Sequence, residues 1–145
     1  MRLRSSSIVE RLDDVAPDGR PVVVVGFSGG AAFAGGLALD DPQRYAGAAF
    51  LYGTLPFDAG VPTTAGRLER LPVLVVHGDV DVVIPRELLE RTWSYLDGDA
   101  GSVTVARRDP GGHGLSPLAV GALDRWLTAV TDQPTPPLPD RKDSR

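Results

Sequence analysis

Apolar residues fall into two rhythms along this chain. Val22 to Val25 is a continuous β-branched run, the pattern of a parallel strand buried on both faces beneath covering helices. Three more short apolar runs read as strands, over Ala46 to Tyr52, Val73 to His77 and Ser102 to Arg107. Between them the spacing lengthens. Ala31 to Leu39 is small, apolar and helical in character, and Asp40-Asp41-Pro42 closes it. Leu88, Leu89, Trp93 and Leu96 make one face of a second helix, and Leu118, Leu123, Trp126, Leu127 and Val130 make one face of a last helix. Trp93 and Trp126 therefore read as core. Ahead of the first strand, Ser7-Ile8-Val9-Glu10 has the form of a capping box, with Ile8, Val9, Leu12 and Val15 at helical spacing to Ala16. Strands alternating with helices give the α/β class, a parallel sheet of about four strands with right-handed crossovers and flanking helices.

Two stretches stand apart from this alternation. Gly53 to Arg70 is irregular and rich in Gly and Pro, and a loop of that length usually has a task. From Gln133 onward the chain is a polar, Pro-rich tail expected to be disordered, so the domain is expected to run over residues 1–132. Gly35 and Gly36 each cost a helix up to about 1 kcal/mol relative to Ala, which points to close packing on the sheet.

Composition narrows the function classes. At 145 residues there is room for one domain. Lys and Arg total 15 against 19 Asp and Glu, a net charge of -4, so no basic excess attracts nucleic acid. The chain has no cysteine, which removes disulfides, thiolate metal sites and a cysteine nucleophile, so any nucleophile is an oxygen or an amine. The longest apolar stretch, Pro21 to Phe27, is far shorter than the roughly 20 residues of a membrane span. The first twenty residues lack the apolar core of a signal peptide. The expectation is a cytoplasmic protein without stable membrane insertion.

The chemistry gathers where strands end. Gly26-Phe27-Ser28-Gly29-Gly30 has the G-x-S-x-G pattern at a strand-to-helix junction, which lifts the Ser28 hydroxyl above the carboxyl edge of the sheet. Side chains at positions 26 and 30 are expected to crowd the adjoining strand and helix. The Gly29 N–H, at the helix N-terminus, is the candidate oxyanion donor. A serine nucleophile needs a base and the base an orienting acid. His113, in Asp109-Pro110-Gly111-Gly112-His113-Gly114 after the fourth strand, is the base candidate. Asp81, in the loop after the third strand, is the orienter candidate, with its neighbour Asp79 as the competing choice. His77 reads as structural. A metal site from His77, Asp79 and Asp81 would consume the acid and matches no zinc spacing, so no metal is expected. Leu55 and Phe57 are candidates for contact with an acyl group, with a core plug the equal alternative for Phe57. Leu115 and Ser116 are weaker candidates.

GFSGG, LPVLVVHGDVDVVIP and DPGGHG together resemble the carboxylesterase/phospholipase branch of the α/β-hydrolases, which includes the acyl-protein thioesterases. The likeness runs from Ser7 to about Val130. It implies the triad Ser28, Asp81 and His113, an acyl-serine intermediate, a small-molecule ester or thioester substrate and no cofactor. That family commonly has Gln where this chain has Gly29, but the oxyanion donor is a backbone group and is kept. The superfamily's sheet has about eight strands, with a second oxyanion N–H from an early loop. Neither has a counterpart in residues 1–20, so the resemblance covers a carboxyl-terminal part of the fold and implies that the functional hydrolase begins upstream of Met1. The alternative is a catalytically incompetent remnant or non-enzymatic module that pairs, as a homodimer, through its open strand edge.

Overall fold

β-Branched and small apolar residues form four parallel strands in a single sheet, β1 (Val23–Phe27), β2 (Gly47–Leu51), β3 (Pro72–Gly78) and β4 (Val103–Asp109), adjacent in chain order. The computed structural model describes residues 20–132; the capping-box helix expected at Ser7 to Ala16 and the tail from Gln133 lie outside the described residues. Register runs Val23 to Gly47, Ala48 to Val73 and Val73 to Thr104. Three helices flank the sheet: α1 (Gly29–Asp40) in the β1–β2 crossover, α2 (Arg86–Ser94) in the β3–β4 crossover and α3 (Pro117–Thr131) after β4, while the irregular loop connects β2 to β3. This is the fold class that the alternation implies, a four-stranded parallel sheet flanked by helices.

The sheet is covered on both faces. Ala48 and Phe50 of β2 and Val73 and Val75 of β3 face one core with Ala31, Leu37 and Ala38 of α1. Their neighbours Ala49, Leu51, Leu74 and Val76 face the other core with Ala119 and Trp126 of α3. Strand alternation therefore feeds two apolar layers, which is why these strands read as unbroken apolar runs.

β1 departs from the doubly buried reading. Val25 is 45% and Phe27 41% exposed. Among the described residues α3 packs over β3 and β4 more than over β1. Among the described residues β1 pairs only with β2, so it is an edge strand.

Helix faces also shift from their expected phase. Leu88 and Leu118 are exposed, while Leu89 and Trp126 are buried. After Ser94 the chain passes into a π-helical turn, Tyr95–Asp99. The wider turn rotates the following residues, which brings Tyr95 and Leu96 into the core.

The long loop has a structural task. Leu55 and Leu68 are buried, the Leu55 N–H donates to Thr92 Oγ1 at 3.1 Å, and Arg67 donates to the Leu39 and Asp40 carbonyls. A Cβ on Gly35 would stand 2.7 Å from Leu55 Cδ2. The close packing at that glycine is thus against the loop and not, as expected, against the sheet.

Candidate active site

All the chemistry-bearing residues sit at the carboxyl ends of strands, where a parallel sheet delivers loops to one edge. Ser28 follows β1 in a strained conformation, φ 56° and ψ -120°, that L-residues rarely adopt. Its N–H donates to the Leu51 carbonyl at 2.8 Å, tying the elbow to β2. A Cβ on Gly26 would fall 2.1 Å from the Gly30 carbonyl oxygen, so the turn closes only over glycine. Gly30 is different: a Cβ there meets nothing within 4 Å, and the expected crowding at this position is not found. Gly26→Ala is therefore expected to destabilise the fold severely. Gly30→Ala should leave stability unchanged or raise it by up to about 1 kcal/mol through helix propensity, as denaturant titration of the two variants can check.

The acid loop is held from within. Asp81 Oδ1 accepts the Val83 N–H at 2.8 Å and the Ile84 N–H at 3.1 Å, which leaves Oδ2 free to face His113. Asp81 Oδ2 lies 2.8 Å from His113 Nδ1, and His113 Nε2 lies 2.8 Å from Ser28 Oγ. A carboxylate can only accept, so Nδ1 carries the proton and Nε2 offers its lone pair to the serine hydroxyl. The Asp81 side chain is fully buried and that of His113 is 16% exposed. Burial pushes the Asp81 carboxyl up, but the bonds from His113, Ile84 and Val83 outweigh it and hold it below its ordinary value. Asp79 is placed otherwise. Its N–H donates to the Asp109 carbonyl, and its half-exposed carboxylate stands 3.9 Å from Arg108.

The two loops meet through Gly78, where a Cβ would fall 2.3 Å from the Gly112 carbonyl oxygen. At the elbow, the first amides of α1, those of Gly29 and Gly30, have no intrahelical acceptor. The Gly29 N–H is thus a donor beside Ser28. Among the described residues no group of three or more His, Cys, Asp or Glu is placed to hold a metal ion.

The candidate acyl contacts separate. Leu55 is 2% exposed in the core, and Phe57 packs edge-on to Tyr95 with the Arg91 guanidinium 4.1 Å above its ring. Leu55 corrects the sequence reading, since its burial uses the side chain for packing, whereas Phe57 takes the core-packing place that was its equal alternative. Leu115 is 52% exposed beyond His113 and remains available. Ser116 caps α3, its Oγ accepting the Ala119 N–H. A residue that the sequence reading passed over is Phe27, whose half-exposed ring lies 5.5 Å from that of His113. Its position inside the G-x-S-x-G pentapeptide was the available signal.

His77 is buried behind the acid loop, its ring centroid 5.5 Å from that of the half-buried Trp93 and tilted 47° to it, with the Arg108 guanidinium over the Trp93 ring at 4.8 Å. Burial pushes the His77 imidazole down to about 4; the Gly53 backbone and Asp81 oppose this and Arg108 adds to it. The unfolded chain takes up that proton near the ordinary value of about 6.5, so the stabilisation is present above that pH and is lost as pH falls toward 4. Unfolding free energy should drop by about 2 kcal/mol between pH 7 and pH 5 on this account. His77→Gln should flatten the decline, and an equal loss in the variant would remove His77 as its source.

The sequence model of the phospholipase/carboxylesterase family matches residues 7–130. Among solved structures, acyl-protein thioesterase 2 of Zea mays superposes with a TM-score of 0.71 at 26% identity, over 86% of this chain and 62% of that one. The Bacillus cereus carboxylesterase gives 0.74 at 22% identity, over 88% and 60%. Arabidopsis thaliana SOBER1 gives 0.69 at 22%, over 89% and 61%. The chain spans less than two thirds of the length of each of these structures. No curated protein matches it.

Proposed function

The chain belongs to the phospholipase/carboxylesterase family, and from that premise we propose that it is a serine hydrolase of carboxylic esters or thioesters acting through an acyl-serine intermediate. The observation that carries this reading is the unbroken path from Ser28 Oγ to His113 Nε2 and from His113 Nδ1 to Asp81 Oδ2, both steps at 2.8 Å.

In the reaction, Ser28 Oγ attacks the acyl carbonyl as its proton passes to His113 Nε2. Negative charge grows on the carbonyl oxygen, facing the Gly29 N–H, and Asp81 stabilises the imidazolium across Nδ1. Collapse expels the alcohol or thiol, which takes the proton from His113. A water, deprotonated by the same Nε2, then cleaves the acyl-serine and restores the site. Three side chains and the Gly29 amide are what the described residues contribute to these steps. Leu115 and Phe27 offer apolar contact to the acyl group.

Purified protein offered p-nitrophenyl esters of two, four and eight carbons, and an acyl thioester, should show saturable hydrolysis of at least one class. Rates equal to buffer with all of them would contradict the reading. A second reading, self-association, is favoured by the edge position of β1 and the exposure of Val25 and Phe27. Sedimentation velocity distinguishes it, since a pairing edge gives a dimer whose fraction rises with concentration.

A further inference from the structure

The loop that carries His113 spans Asp109 to Ser116, and both of its ends converge on one phenol. Tyr52, the residue after β2, is fully buried and donates its hydroxyl to Asp109 Oδ2 at 2.5 Å. The other oxygen, Asp109 Oδ1, accepts the Gly111 N–H at 2.9 Å inside the loop. Asp109 is 3% exposed, a buried carboxylate sustained by neutral donors. Hydrogen bonding from Ser116, then from Tyr52 and the Gly111 N–H, holds it below the usual carboxylate range. Ser116 closes the loop by capping α3 with its oxygen lone pair, so its hydroxyl proton is free for Asp109. Burial and the bond to Asp109 push the Tyr52 phenol up, keeping it a neutral donor.

Tyr52 also borders the nucleophile side, where its ring lies 5.8 Å from that of Phe27. Its backbone adopts φ 52° and its N–H donates to the Val76 carbonyl at 2.8 Å. At the next residue, Gly53, a Cβ would fall 2.3 Å from the Ser28 carbonyl oxygen. The Tyr52 ring stands edge-on to His113, with centroids 6.4 Å apart. We propose that Tyr52 and Asp109 are positioning residues that fix the His113 loop in register with Ser28, so that the imidazole meets the hydroxyl in reacting geometry.

This inference rests on the serine-hydrolase reading, and its test separates the two. Tyr52→Phe removes a single hydroxyl, and Asp109→Asn keeps the shape and an acceptor for Gly111. Hydrolysis is measured per active site, counted by titration with a fluorophosphonate, and the low-field proton resonance of His113 Nδ1–H on Asp81 is recorded in the same samples. Each variant is expected to lower kcat per titrated site by about 10- to 100-fold with KM within about twofold, and to broaden or abolish the resonance. The double variant should be no slower than the worse single one, because the pair acts as a unit. A purely structural role would reduce the number of titratable sites and leave kcat per site unchanged, and that result overturns the proposal. A wild-type protein without turnover or labelling overturns the hydrolase reading instead. The resonance then decides the positioning claim alone: retained in Tyr52→Phe, it refutes it.

Discussion

Replacing Ser28 with alanine lowers ester hydrolysis by about 10⁴- to 10⁶-fold, the loss expected when the nucleophile of a serine hydrolase is removed. The size of the effect can be assigned to chemistry because the exchange asks little of the fold. The strain at φ 56° is borne equally by alanine, and the backbone bond from the Ser28 N–H to Leu51 survives. Among the described residues the side-chain bond lost is that of Oγ to His113 Nε2. Activity on a short activated ester and the thermal midpoint, measured on the same preparation, check both halves of the expectation. An active variant would remove Ser28 from the mechanism, whereas a collapsed midpoint would mean that the hydroxyl also supports the fold.

The second large effect distinguishes two aspartates separated by one residue. Asp81→Asn is expected to cost about 10⁴-fold in kcat. The amide oxygen can keep the Val83 and Ile84 bonds, so the loop stays in place. What changes is the group facing His113 Nδ1: an NH₂ there demands a lone pair from Nδ1, which forces the ring proton onto Nε2 and points it at Ser28. The imidazole then cannot accept the serine proton. Asp79→Asn removes only an ion pair of 3.9 Å with an exposed arginine, worth no more than about 1 kcal/mol, and kcat should change by a few-fold at most. A larger loss in the Asp79 variant would exchange the roles of the two residues.

The parallel sheet was legible because β2 and β3 are buried on both faces and carry unbroken apolar runs. β1 carries the same run and yet is half exposed, since a β-branched sequence encodes extended backbone and not the helix layer above it. Ser28, Asp81 and His113 could be singled out because their glycine-rich surroundings at strand ends mark turns of a particular chemistry. Leu55 misled for the opposite reason: an apolar residue in an irregular segment looks available, and only the fold shows that Gly35 and Thr92 receive it. Tyr52 and Asp109 were beyond sequence reasoning as a pair. They lie 57 positions apart, and neither a tyrosine at a strand end nor an aspartate before Pro110 announces the other. Gly30 shows the limit of a motif: its pentapeptide position suggests a steric demand that the open space around it does not impose.

The central claim is that Ser28 is an activated nucleophile in this chain, and covalent capture tests it most directly. Incubation of the purified protein with a fluorophosphonate, followed by peptide mass mapping, should place one adduct on Ser28. Labelling should be lost in Ser28→Ala and slowed severely in His113→Ala, because the hydroxyl reacts only when Nε2 takes its proton. An intact, folded protein that gains no adduct, or gains it equally on other serines and at the same rate without His113, would contradict the account.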